Sequence, residues 1–134
     1  MTHWPDVLQK IGWVGLGGFL GANARYWLGT WIQQRYGGTG FPWGTFVINV
    51  SGSFVLGLFL TLVSARLEVP HSQTLRLLVA TGFVGAYTTF STFEYETFAL
   101  VEAGTLLRAF GNAFGSLVAG FFAVWLGAVL ARVF

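Results

Sequence analysis

The chain of 134 residues has no cysteine, only two histidines and very little charge. Without cysteine there is no disulfide framework and no thiolate metal site. His3 and His71 are too few and too distant to make a metal centre between them. Charged residues make up 9% of the chain, where a soluble domain carries about 25%. That deficit implies a membrane protein whose main partner is the lipid bilayer. The net charge of +2 comes with no Lys/Arg cluster, so nucleic acid is excluded as a partner. No nucleophile and base stand paired along the chain, which argues against an enzyme.

What the sequence does contain is long apolar runs. A spanning helix needs about 20 mainly apolar residues. Trp43–Ala65 and Ala113–Ala131 meet that without one charge. Leu77–Phe93 is charge-free but short, and gains its length by running on through Glu94 and Glu96 to Leu100. Ile11–Ala24 lies between Lys10 and Arg25 and spans by continuing into Tyr26-Trp27-Leu28. The expected fold is an all-α integral membrane protein, one domain over 1–134. Its four transmembrane helices cover about 7–32, 43–65, 74–100 and 105–132. Turn residues mark the connections at Tyr36–Pro42, at Arg66–Ser72 with Pro70, and at Ala103-Gly104. Trp4, Tyr26, Trp27, Trp31, Trp43 and Tyr95 fall near helix ends, as interfacial belts require. Lys10, the apolar stretch and Ala22-Asn23-Ala24 loosely mimic a cleavable leader, but five glycines interrupt the run, so retention is expected.

Four spans put Lys10, Arg66, Arg76 and Arg132 on one side of the membrane, and Arg25, Arg35 and Arg108 on the other. Lys/Arg bias fixes orientation, and four against three is almost no bias. The chain is expected to insert both ways and pair as an antiparallel homodimer; the alternative on this count is one orientation with a weak signal.

The most informative stretch is Thr81-Gly-Phe-Val-Gly-Ala-Tyr-Thr-Thr-Phe-Ser-Thr-Phe93. Five of its last seven residues carry hydroxyls, and Gly82 and Gly85 precede them. A lipid-facing helix has no use for that pattern. Irregular backbone at membrane depth is tolerated only inside protein or beside water, so the third helix is expected to be broken mid-membrane, next to a path for a small polar species. Phe90 and Phe93 share a helix face, and their positive ring edges can meet an anion while excluding water and cations.

Small or polar residues recur at four-residue steps on three helices: Gly17, Gly21, Arg25; Asn49, Ser53, Gly57; Asn112, Ser116, Gly120. Small faces let helices approach closely in lipid, which accounts for the glycines and Ser53. Asn49 and Asn112 either bridge helices or replace water around a passing anion. Arg25 is either a snorkelling boundary residue or a positive mouth that gathers anions. Glu94, Glu96 and Glu102 read as solvated charges at a helix end. Gly15–Gly21 nearly spells a dinucleotide fingerprint, but its third glycine is out of register and no strand precedes it. Asn49-Val-Ser51 matches a glycosylation acceptor but lies inside a span.

At these residues the chain resembles the Fluc family of fluoride channels, also called CrcB, over nearly its whole length. The resemblance is carried by Gly17-Gly-Phe-Leu-Gly-Ala-Asn-Ala-Arg-Tyr26, by Pro42-Trp-Gly-Thr-Phe-Val-Ile-Asn-Val-Ser-Gly-Ser-Phe54 and by Gly82–Phe93 with Glu96 after it. Ser116, Gly120 and Trp125-Leu-Gly127 fit the fourth helix. The resemblance implies an antiparallel dual-topology dimer with two fluoride pathways. It also implies a central structural sodium ion held by backbone carbonyls, which by motif position belong to Gly85 and Thr88. Phe90 and Phe93 match the aromatic lining and Asn49 the helix 2 amide. Ser91 and Thr92 match the polar stretch of the break, Ser116 the polar track of helix 4, and Arg25 the arginine at the mouth. Glu94 stands where a small polar residue is usual, Asn112 where tyrosine is common, and Ala86 replaces a common glycine.

The expected function is a passive, fluoride-selective channel in the cell (inner) membrane, multi-pass, exporting cytoplasmic fluoride. The runner-up is a small dual-topology exporter of organic cations, which needs a mid-span acid. A third reading is a structural membrane subunit packed through its small faces.

Overall fold

A computed structural model of the chain describes the backbone of residues 4–66 and 69–133, and the side chains of those residues outside 66–71. Among the described residues there is helix and no strand. Helix α1 is Trp4–Tyr36 and ends in a short 3-10 turn, Gly37–Thr39. Helix α2 is Trp43–Arg66. The next stretch, called α3, runs as Val69–Leu75, then π-helical Arg76–Val84, then Gly85–Tyr87. Helix α4 is Phe90–Glu102 and α5 is Leu106–Val133. The third expected span is thus two helices, α3 and α4, in sequence.

The boundaries follow local chemistry. Gly40 and Gly104 supply the positive φ values, 70° and 71°, that close the connections after α1 and α4. The connection before α3 is shorter than the turn residues predict. Helix begins at Val69, with Pro70 in the first turn, where a missing N–H costs nothing. Residues 67–68 and the side chains of Arg66 and His71 lie outside the described set, so Arg66's place in the charge count does too.

Two helices, Trp43–Ala65 and Leu106–Val133, are long and apolar enough to cross a membrane, with mean hydropathies of 2.1 and 2.0. They pack against each other, while α1 packs along α3. The small faces explain both pairings. A methyl group at Gly17 or Gly21 would run into the α3 backbone at Leu78 or Phe83, and one at Gly82 would lie 2.8 Å from the Val14 carbonyl oxygen. Gly57 is closed off in the same way by the Val124 carbonyl, and a methyl at Gly127 would lie 2.7 Å from the Leu58 nitrogen. Backbone cannot step aside as a flexible side chain can. Gly120 differs, since a methyl there would stand 3.6 Å from Ser53 Oγ, an ordinary contact. Gly127→Val is therefore expected to lose folded protein on size exclusion in detergent, while Gly120→Ala elutes as the native chain does. Equal behaviour of the two variants would contradict this packing.

Outward faces carry Trp27, Phe19, Leu107, Leu117 and Phe121, all well exposed in the single chain. Lipid accommodates such a surface and water does not. This is a membrane protein.

Candidate functional site

The helix break falls on the threonines of the string and not on its glycines. Gly85 is helical, with φ −61° and ψ −35°. Gly82 is spent on contact with α1. The chain leaves the helix at Thr88 (φ −82°, ψ 158°) and stays extended at Thr89 (φ −148°, ψ 117°). Threonine is β-branched and comfortable in that conformation. Thr88 Oγ1 donates to the Val84 carbonyl at 2.9 Å, closing α3. Thr89 then caps α4, its hydroxyl oxygen accepting the Thr92 N–H at 3.3 Å.

A broken helix orphans backbone groups, and in a membrane each must find a partner. Asn49 on α2 provides two. Its Nδ2 donates to the Thr89 carbonyl at 3.0 Å, and its Oδ1 accepts the Thr89 N–H at 2.8 Å. The side-chain amide thereby pairs with one residue's backbone as a neighbouring strand would. A primary amide has two N–H groups, so Asn49 keeps one donor to spare. Of the two roles open to it from sequence, bridging is filled, and the spare donor leaves room for the other.

Two open grooves meet at this point. The first, about 530 Å³, is lined by Asn49, Ser53, Thr88, Phe90, Phe93 and Ser116, with the exposed Glu94 at its edge. The second, about 430 Å³, is lined by Arg25, Gln33, Thr45, Thr92 and Glu96. Thr89 contributes to both, so the Asn49–Thr89 pairing forms part of the wall between them. The Phe90 and Phe93 ring centroids are 5.9 Å apart with planes tilted by 42°.

The residues singled out from sequence therefore divide. Asn49, Phe90, Phe93 and Ser116 come together in the first groove, while Arg25 and Thr92 stand in the second. Ser91 is exposed and lines neither. Asn112 is fully buried. Its Nδ2 donates to Thr97 Oγ1 at 2.8 Å, Thr97 donates to the Phe93 carbonyl at 2.8 Å, and Ser116 donates to Asn112 Oδ1 at 3.5 Å. That relay ties α5 to α4 behind Phe93, so Asn112 bridges helices and touches neither groove. Arg25 does not sit out at a boundary. Its guanidinium donates to the Thr88 carbonyl at 3.4 Å, at the negative end of α3.

One expectation needs correcting. Glu96 is not a solvated end charge: it is half-buried, hydrogen-bonds Thr45 and leaves Oε2 buried without a partner among the described residues. Its spacing from Thr92 and Thr89, four and seven residues, puts the three on one helix face. That signal was present in the sequence. Gln33 and Thr45 carried no such signal, because their inward direction depends on how α1 and α2 cross.

The carbonyls assigned by resemblance to a sodium ion can be tested for fit. No group of three His, Cys, Asp or Glu residues that could hold a metal occurs among the described residues. Uncharged carbonyl oxygens suit a hard cation. Gly85 and Thr88 lie in or beside the last turn of α3, where carbonyls lack intrahelical donors. The Thr89 N–H that would close on the Gly85 carbonyl goes to Asn49 instead. The donor chemistry fits at Gly85, and at Thr88 the carbonyl that accepts the Arg25 guanidinium at 3.4 Å keeps one lone pair for a cation.

A groove with uncharged donors, beside a helix break inside a membrane protein, is the kind of site expected of proteins that pass small ions. The sequence comparisons name the family. Residues 12–128 match the family described as CrcB-like protein, Camphor Resistance (CrcB). The chain is 52% identical over 125 residues to a fluoride-specific ion channel FluC of Acidobacterium capsulatum, covering 91% of this chain and 95% of that protein. It is 48% identical over 121 residues to the FluC of Chloroflexus aurantiacus, covering 90% and 94%. It is also 50% identical over 119 residues to the FluC of Solibacter usitatus, covering 89% and 95%. The chain belongs to the CrcB family of fluoride-specific ion channels, which are transport proteins and not enzymes.

Proposed function

We propose that this chain is a passive, fluoride-selective channel of the inner membrane, spanning it four times and working as an antiparallel dual-topology homodimer with two pathways. The observation that carries the proposal is the break at Thr88–Thr89, held open by Asn49 beside a groove of uncharged donors.

Fluoride is small and strongly hydrated, so a pathway must replace its water with donors. The spare N–H of Asn49 and the Ser53 hydroxyl stand in the first groove as donors, beside the rings of Phe90 and Phe93, while the Thr88 and Ser116 hydroxyls there give their protons to the Val84 carbonyl and Asn112 Oδ1. No lysine or arginine lines that groove. Neutral dipoles bind an anion weakly enough to release it. Arg25 contributes the positive potential that gathers anions at the break, from the second groove. Thr92 and Ser91 add hydroxyls on either side of α4, with Ser91 exposed in the single chain and available to a second copy. Asn112 supports the path from behind by holding Ser116 and Phe93.

The Gly85 and Thr88 carbonyls, with those of a second copy, would hold the structural sodium ion. Bound there, the ion would supply fixed positive charge and join two broken helices. An organic-cation exporter is disfavoured, because the relatives that match nearly the whole chain are fluoride-specific channels and the half-buried acid, Glu96, shares its groove with Arg25.

Fluoride efflux from proteoliposomes, followed with a fluoride electrode, tests the function. Efflux well above that of empty vesicles in sodium buffer, with chloride and a lipophilic cation retained, is the expected result; efflux equal to the empty control refutes it. Labelling of one terminus on intact cells and on inverted vesicles tests dual topology. Both preparations should label, and protection on one side alone would refute it.

A further inference from the structure

Next to the Asn49 pairing, α2 makes a second bond to the break. Tyr87, the last helical residue of α3, is 7% exposed, and its hydroxyl lies 2.9 Å from Ser51 Oγ. Proton count fixes the direction. Ser51 has one hydroxyl proton, and its oxygen lies 2.6 Å from the Val47 carbonyl and 3.2 Å from that of Ile48. Carbonyls can only accept, so that proton is committed to α2. Tyr87 must then be the donor and Ser51 the acceptor. The Tyr87 ring stacks on Phe83, with planes 11° apart and centroids at 5.7 Å, and abuts the open flank of Gly52.

The geometry points to Ser51 and Tyr87 as positioning residues of the fluoride pathway: their buried bond fixes the last turn of α3 and, through it, the extended Thr88–Thr89 link whose oxygens and hydroxyls line the groove. The bond touches no ion, since neither residue lines the first groove. It acts through Thr88, the next residue along the chain. Asn49 fixes the C-terminal side of the break at Thr89, and Ser51 fixes the N-terminal side at Tyr87. Two anchor points on one helix, two residues apart in sequence, give the extended link a single conformation.

The inference rests on the fluoride-channel reading, and its test separates the two. Wild type, S51A, Y87F and S51A/Y87F are reconstituted, and efflux is measured against fluoride concentration for protein that elutes as a single folded species. No efflux from wild type would refute the channel reading itself. With wild type conducting, S51A leaves the Tyr87 O–H buried and unmet. A factor of ten, equivalent to about 1.4 kcal/mol, lies within the cost of one unmet buried donor, so half-saturating fluoride should shift by about tenfold. Y87F removes the donor while Ser51 keeps its bond to Val47, and the shift should be about threefold. The double variant should match Y87F, because the unmet donor is gone. A fall in maximal efflux with half-saturation unchanged would assign the pair a purely structural role and overturn the inference. So would a double variant as impaired as the product of the two singles. If S51A does not fold, Y87F alone decides, and half-saturation equal to wild type overturns it.

Discussion

Asn49→Asp is expected to abolish fluoride efflux from reconstituted vesicles, and Asn49→Ala to lower it by about a hundredfold or more. The two substitutions fail for different reasons. Alanine leaves the Thr89 N–H and carbonyl, now bonded at 2.8 and 3.0 Å, without partners. Each unmet buried group costs about 1–3 kcal/mol, and the simplest relief is for Thr88 and Thr89 to move toward other donors and narrow the groove. Aspartate keeps an acceptor for the Thr89 N–H, so the break is better held than with alanine. It loses the donor to the Thr89 carbonyl and the spare N–H, and it places a negative charge in the groove that lines the path. Two unit charges at 4 Å repel by about 4 kcal/mol at the effective dielectric of a partly solvated site, roughly a thousandfold against a passing anion. The measurement is fluoride-electrode efflux normalised to protein that elutes as a single folded species. The decisive comparison is the order of the two. Aspartate conducting better than alanine would show that the amide serves only to hold the break, and that no anion passes beside it.

The second large effect is expected at the aromatic pair. Phe93→Ile and Phe90→Ile keep a bulky apolar side chain and discard the ring. If packing alone mattered, both variants would conduct as wild type does. If ring edges meet the ion, each loses the 0.5–1.5 kcal/mol or so that the ring quadrupole contributes beyond area. Each should then slow efflux by about three- to tenfold, and the double variant should slow it further. Both residues line the first groove, but Phe93 is half-buried and Phe90 is 73% exposed in the single chain. In the proposed dimer, a second copy covers that exposed ring. Unchanged efflux in both variants would remove the aromatic contribution and leave Asn49 and the hydroxyls to carry the path alone.

Periodicity and composition pointed to helical segments, to the connections that Gly40 and Gly104 close, and to small faces, but not to where each helix ends: helix already runs at Val69, inside the connection expected over Arg66–Ser72. These are local properties. A four-residue step of glycines marks a close contact whatever it meets, and a charge-free run is apolar in any fold. The hydroxyl-rich string before Phe93 also declared that the third span would not be continuous. Which residues of that string leave the helix is settled by the structure. Gly82 is used for contact with α1 and Gly85 remains helical, while the extended backbone falls on two threonines.

The tertiary structure decided which polar groups meet. Asn49 reaches Thr89 across 40 residues of chain, and Arg25 reaches Thr88 across 63. Sequence spacing says which residues share one face of one helix. It does not say how two helices are rotated and slid against each other, and that choice is made by where the backbones can come closest. Here the close approaches at Gly17, Gly21, Gly57 and Gly127 set the register. Once it is set, an amide, a guanidinium and a serine hydroxyl all arrive at the one turn of α3 that has lost its own hydrogen bonds. The same docking turned Glu96 inward to Thr45 and closed Asn112 away behind Phe93. Spacing put Glu96 on a face with Thr92, but which face is buried, for Glu96 as for Asn112, is determined by what the opposite helix offers it.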